Sequence, residues 1–217
     1  MLKQYSTVFS GADGEIVEKK SRFIAHIELA ESEEEALAFV EKMKKKYWDA
    51  RHNCYAFRIG TEHTLERCSD DGEPSGTAGK PMLEVLTGRN LYNVVAVVTR
   101  YFGGTLLGTG GLVRAYTKSM QEGLEASTLV EKKLASMVDI SCDYSLFGKI
   151  QYLAATEGFS LCEIQYTDSV SATLLIPVDD TDYVKKKLIE ISNGSIVMED
   201  QEPAYFGEVE GEIIIFD

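Results

Sequence analysis

NVVAVVTRYFGGTLLGTGGLVRAYTKSMQEGLEA, Asn93 to Ala126, passes from a β-branched run through a glycine cluster into a helical pattern. Asn93–Phe102 is continuous in apolar β-formers, which predicts a strand buried on both faces. Leu112, Ala115, Tyr116, Ser119, Met120 and Leu124 recur at helical spacing and predict a helix reaching about Ala126. Between strand and helix lie Gly103, Gly104, Gly108, Gly110 and Gly111, five glycines in nine residues. Such a loop turns tightly and approaches a ligand without Cβ interference. The helix start that follows presents unpaired N–H groups and partial positive charge, which suit a phosphate or carboxylate. Arg100 and Arg114 flank the loop, and Lys118 is one turn farther on. The competing reading is that the glycines only permit close helix–sheet packing. The segment is neither a P-loop, because no Gly-Lys-Ser/Thr follows, nor a dinucleotide fingerprint, because Gly108-Thr109-Gly110 lacks the third glycine.

Upstream, Tyr5–Phe9 and Glu15–Glu28 read as strands separated by the turn Gly11–Gly14. Ser32 and Glu35 form a capping box that opens a helix with Ala36, Leu37, Val40, Met43 and Tyr47 on its apolar face. Lys42, Lys44, Lys45 and Lys46 sit near the C-terminus of that helix, where cations are favoured in any case. Arg51–Gly60 reads as a strand that places His52 and Cys54 on one face, Arg51 and Asn53 on the other. A Cys/His nucleophile pair would need an orienting third group, and none is identifiable in the sequence. Asp70–Pro81 is a dense turn segment leading into a short helix around Met82–Leu86. Asp70, Asp71 and Glu73 are weak candidates for a magnesium site; the favoured reading makes them turn and cap residues.

The last part of the chain is all α+β pattern and little chemistry. Ser136–Asp143 is a strand, and Ser145–Glu157 a helix on Leu146, Ile150, Leu153 and Ala154 that Gly158 stops. Phe159–Tyr166 and Val170–Val178 are strands joined by Thr167–Ser169. A helix capped at Asp180 or Thr181 carries Val184, Leu188 and Ile191 and ends at Asn193-Gly194. Ser195–Met198 begins a last strand, and Glu208–Asp217 is an extra edge strand or an unpaired end. The order β-α-β-β-α-β is the ferredoxin-like arrangement. The expected fold class is therefore α+β with two domains, residues 1–133 and 134–217.

Charge follows the same division. The chain holds 22 Lys+Arg against 35 Asp+Glu, a net of −13 over 217 residues. Residues 1–133 contain 18 basic and 19 acidic side chains, a net of −1, and residues 134–217 contain 4 and 16, a net of −12. The near-neutral half can thus present a local basic groove, while the acidic half keeps the protein soluble or steers a basic partner. The 44% hydrophobic and 26% charged fractions exclude a disordered or fibrous chain. No apolar run approaches the roughly 18 residues of a membrane span. The start lacks a signal peptide's apolar stretch, so a cytoplasmic protein is expected. Cys54, Cys68, Cys142 and Cys162 form no CxxC pair, which argues against a zinc site that would recruit His52 and His63.

Several segments together resemble the IMPACT family. They are Lys20–Ala25 (KSRFIA), Ala50–Ala56 (ARHNCYA), Asp70–Gly79 (DDGEPSGTAG), Val97–Gly104 (VVTRYFGG) and Leu107–Tyr116 (LGTGGLVRAY). The resemblance covers about residues 18–127, and the C-terminal half is similar to the second domain of YigZ-like bacterial members. It implies an N-terminal α/β domain of the ribosomal-protein and elongation-factor type, with a C-terminal domain like the last domain of elongation factor G. Eukaryotic members regulate translation by competing for an activator of a starvation-responsive kinase. They carry an RWD domain that this chain is expected to lack, so that partnership is not transferred. For the bacterial branch the resemblance implies a translation-associated or nucleic-acid-associated role without catalytic residues to carry over.

The functional expectation is a cytosolic regulatory or binding protein that meets RNA, the ribosome or a translation factor. An anion groove built from Arg51, His52, Lys80, Arg100, Gly103, Gly104, Gly108, Gly110, Gly111 and Arg114 would hold phosphate. No cofactor is expected. The alternative is an enzyme acting on a small phosphorylated metabolite or nucleotide, with Asp70 or Asp71 on magnesium. Convergence of Arg51, Asp70 and the Gly103–Gly111 loop on one cleft would favour a ligand site.

Overall fold

A computed structural model describes residues 2–216, and the chain divides into two compact units between Glu131 and Lys132. The first unit is built around β6 (Val94–Tyr101), the strand on which its sequence pattern turned. Its neighbours are β3 (Ser21–Leu29) and β4 (His52–Ile59), flanked in turn by β2 (Asp13–Glu18) and β5 (Leu65–Ser69). The sheet order is β2-β3-β6-β4-β5, antiparallel throughout.

The continuous apolar run in β6 has a direct cause. Val94, Ala96 and Val98 enter a core with α2 (Gly79–Gly88) and α3 (Thr109–Ala126). Val95 and Val97 enter a second core, with α1 (Glu33–Lys46). A strand covered on both faces needs apolar side chains at every position, each worth about 1.5–3 kcal/mol when fully buried. The remaining strand, β1 (Gln4–Ser10), lies beside the end of α2, where the Tyr92 N–H donates to the Ser6 carbonyl at 2.9 Å.

The forward half of the capping box forms as read, and the backward bond goes one residue past the N-cap, to Glu31. Ser32 Oγ accepts from the Glu35 N–H at 3.2 Å, and the Glu35 carboxylate reaches back to the Glu31 N–H at 2.8 Å. Leu37 departs from expectation: it is 37% exposed, and Ala36, Val40 and Met43 alone are buried on that face. The run Glu15–Glu28 is a hairpin and not a single strand. Lys19 and Lys20 stand at φ +46° and +67°, the backbone of a two-residue hairpin turn. Two lysines carry none of the Asn-Gly chemistry that announces such a turn, so the sequence hid it.

In the second unit, the later part of β7 (Thr128–Cys142) is the central strand. It is followed by α4 (Tyr144–Glu157), β8 (Ser160–Tyr166), β9 (Val170–Pro177), α5 (Thr181–Ile191) and β10 (Val197–Asp200). The antiparallel order β10-β7-β9-β8 is that of the ferredoxin-like β-α-β-β-α-β arrangement. Ile140, Phe147, Ile150, Leu174 and Leu188 share its core. Asp143 caps α4 through the Leu146 N–H at 2.8 Å, and Gly158 ends it at φ +77°. The tail adds a hairpin, β11 (Ala204–Val209) and β12 (Glu212–Phe216), with β11 pairing along β7 at Lys133–Ala135. Asp217, the last residue of the expected edge strand, lies outside the described residues.

Candidate functional site

The Asp70–Ala78 turn is organised by one carboxylate. Asp70 Oδ1 accepts the N–H groups of Ala78 and Gly79, both at 2.9 Å, and its Oδ2 accepts that of Gly76 at 2.8 Å. Partial burial works to raise its pKa, yet these three donors win and hold it below the usual carboxylate range. Asp71 fastens the turn to β4. Its Oδ2 accepts the Asn53 N–H at 2.7 Å, and its carbonyl accepts from His52 Nδ1 at 2.8 Å. Lys44 lies 3.4 Å from Asp71 Oδ1, which accounts for one lysine of the α1 cluster.

So fastened, the turn sends Glu73 inward. Glu73 Oε1 accepts from Arg100 Nη1 at 2.5 Å and from the Tyr116 hydroxyl at 2.9 Å. His52 Nε2 stands 3.9 Å from Glu73 Oε2, close enough to feel the charge but too far to share a hydrogen bond. Above this group opens a cleft of about 330 Å³, lined by Arg51 and His52, Gly72–Pro74, Arg100 and Phe102, Leu106–Thr109 and Leu112. The β4 segment, the Asp70 turn and the glycine loop therefore converge on one cleft. Phe102 braces it: the Arg51 and Arg100 guanidiniums lie 5.5 and 5.7 Å from its ring centroid.

A second depression, of about 240 Å³, lies on the other side of Leu107, which lines both. Lys19, Arg114 and Lys118 surround it together with Glu18, Gly111 and Ala115. Among the described residues no carboxylate lies within ion-pairing distance of these three cations.

The ten groove candidates thus separate. Arg51, His52, Arg100 and Gly108 reach the cleft, whereas Gly111 and Arg114 line the neighbouring depression and Gly110 sits under the Arg114 guanidinium. Lys80 is exposed on α2 and faces Glu84 at 4.0 Å, lining neither. Gly103 has a packing role: a Cβ there would stand 2.0 Å from the Lys20 carbonyl carbon, because the loop presses on the β2–β3 turn. Its N–H donates to Ser21 Oγ at 3.1 Å. Gly108 holds φ +74° at the N-cap of α3, a conformation that L side chains resist. Gly104, at φ +85°, has open space around it. The packing reading therefore holds for Gly103, while Gly104 and Gly108 are set by their positive φ.

Cys54 is buried and lies 2.9 Å from the Asp70 carbonyl, to which its thiol donates, and 3.3 Å from the Tyr116 hydroxyl oxygen. Burial pushes this thiol far up, so it supplies no thiolate nucleophile. The carboxylates of Asp70, Asp71 and Glu73 face separate donors. Among the described residues no group of three or more His, Cys, Asp or Glu is placed to hold a metal ion. Sequence reading missed Phe102 and Leu106 as cleft walls, Tyr116 as a polar partner and Lys19 as a cation lining the second depression. Tyr116 was legible only as a core residue, and Lys19 was hidden inside the supposed strand.

This is an α+β protein of two units, the first carrying the glycine loop, the Asp70 turn and the cleft. The Impact N-terminal domain model matches residues 19–124, and the model of DUF1949, a domain of unknown function, matches residues 140–195. The chain belongs to the IMPACT family. It is 44% identical over 205 residues to the IMPACT family member YvyE of Bacillus subtilis (strain 168), covering 94% of each chain. To the IMPACT family member YigZ of Escherichia coli (strain K12) it is 37% identical over 180 residues, covering 82% of this chain and 88% of that one. A crystal structure described as that of a hypothetical protein matches with a TM-score of 0.59 at 33% identity, over 93% of this chain and 99% of that one. No described helix is long and apolar enough to cross a membrane.

Proposed function

We propose that this chain is a translation-associated regulatory protein of the cytosol that contacts RNA through the first unit. The phosphate groups lie against Lys19, Arg114 and Lys118, beside the first turn of α3. The observation that carries this reading is the convergence of three cations without carboxylate partners on one depression. Each is free to neutralise a phosphate and release a counterion. Membership of the IMPACT family supports the translation side of the reading. The division of charge, with −12 of the net −13 outside residues 1–133, removes the electrostatic objection to a polyanion there.

Arg100 is not a phosphate contact in this reading, because Glu73 holds its guanidinium; the Arg114 side supplies the contacts instead. Filter-binding titration over a range of salt tests the assignment. Lys19→Ala, Arg114→Ala and Lys118→Ala together should weaken RNA binding at least about tenfold and flatten the salt slope by about 2–3. Unchanged affinity and slope in the folded triple variant would overturn it.

A further inference from the structure

The cleft has a different chemistry from the depression beside it. Phe102, Leu106 and Leu107 make an apolar wall, and Leu106 is 82% exposed for a side chain of its size. Two guanidiniums stand beside the Phe102 ring. Arg100 is only 5% exposed; its Nη1 is spent on Glu73, while its Nε has no protein acceptor. Its Nε is closed to solvent, so what Arg100 adds to the cleft is its charge beside Glu73. Arg51 is exposed at the rim, its guanidinium 5.5 Å from the same Phe102 ring centroid, and has no carboxylate partner among the described residues.

Charge decides which acceptor fits. Arg51 and Arg100 against Glu73 leave one net positive charge, which a monoanion satisfies. A phosphate dianion would bring its second charge against buried Glu73, and a phosphodiester chain finds no row of cations here. A planar carboxylate can accept two N–H groups from the Arg51 fork while an apolar body lies along Phe102 and the leucines. The volume, about 330 Å³, is that of a small-ligand site.

We propose that the cleft binds a carboxylate carried on an apolar body, held by Arg51 at the rim with the Arg100 charge behind it. The ligand is either a free small carboxylic acid or the C-terminal residue of a polypeptide. This goes beyond the RNA reading and does not rest on it.

Calorimetric titration of the full chain with N-acetyl-L-leucine, and with the corresponding amide, tests the proposal. The acid should bind in the millimolar range or tighter, and the amide at least ~10-fold more weakly, about 1.4 kcal/mol. Arg51→Ala, at an exposed position that leaves folding intact, should weaken the acid by ~10-fold and leave the amide unchanged. A pentapeptide ending in leucine, with free or amidated C-terminus, separates the sources. If its free form binds about tenfold more tightly than the single residue, the ligand is a chain terminus; equal affinity identifies a free small acid. The Lys19, Arg114 and Lys118 triple variant should retain acid binding whatever happens to RNA. Equal affinity for acid and amide, no acid binding by the wild-type chain, or unchanged acid affinity in Arg51→Ala would each overturn the proposal.

Discussion

Arg100 and Glu73 form an ion pair at 2.5 Å inside the first unit, with side chains only 6% and 3% exposed. Arg100 belongs to the central strand and Glu73 to an irregular turn, so this one contact ties the turn to the sheet. The Tyr116 hydroxyl adds α3 to the same carboxylate oxygen. Three elements that the sequence presents separately are joined at a single atom.

Removing one partner of such a pair leaves a buried charge uncompensated. Arg100→Met should cost about 3–5 kcal/mol in urea unfolding. Replacing Glu73 by Gln in the same chain should recover a substantial part of the loss, since the stranded charge is then gone. A loss below about 1 kcal/mol for Arg100→Met would show that the pair is solvated.

Asp70 gives the turn an acid limit. Its pKa is lower in the folded chain than the ordinary 3.8, so the folded state binds fewer protons than the unfolded one. The stability it contributes is present above pH about 4 and is lost as the pH falls through the depressed folded value. Thermal melts of the wild type should therefore decline more steeply below pH 4 than those of Asp70→Asn. At neutral pH the variant should already be less stable, because three N–H donors lose their charged acceptor.

The four thiols should react in an order set by burial. Cys68 is exposed on β5, whereas Cys54 and Cys142 are buried. Cys162 is half-buried, and burial together with Glu163 and Asp139 pushes its thiol up to about 11. A thiol-reactive chromophore at pH 8 should label Cys68 first and Cys162 slowly, with Cys54 and Cys142 appearing only on unfolding. Rapid native-state labelling of Cys54 would contradict its placement behind Asp70.

The β2–β3 turn trades stability for charge. Lys19 and Lys20 both occupy left-handed backbone conformations that cost about 1–2 kcal/mol per residue for ordinary side chains. Lys19→Asn with Lys20→Gly supplies the residues that the turn prefers and should raise unfolding stability by about 1 kcal/mol or more. The same variant removes Lys19 from the depression, so its RNA affinity should fall. A variant that gains stability and keeps full affinity would remove Lys19 from the site.

How far the sequence reached depended on range. The β6 run and the helical spacing of α3 were legible because strand and helix periods are properties of neighbours along the chain. The second unit's element order could be read for the same reason. The hairpin at Lys19-Lys20 could not, since its backbone is imposed by pairing in the sheet and by the loop at Gly103. Leu37 was misplaced because helical spacing fixes a stripe, while the covering partner decides how wide the buried stripe is.

By itself the sequence determined two α+β units, a central strand buried on both faces, and a division of charge that leaves the motif-bearing half near neutral. It also supplied Arg51, His52, Arg100, Arg114 and the glycine loop as candidates by residue type. Tertiary structure alone decided which of those groups meet. It put Arg51, His52 and Arg100 at one cleft, moved Arg114 to another, and left Lys80 at neither. The physical reason is that side-chain chemistry is local, whereas neutralisation is not. Whether an arginine binds a ligand or an internal carboxylate depends on a partner like Glu73, 27 residues away along the chain and 2.5 Å away in space.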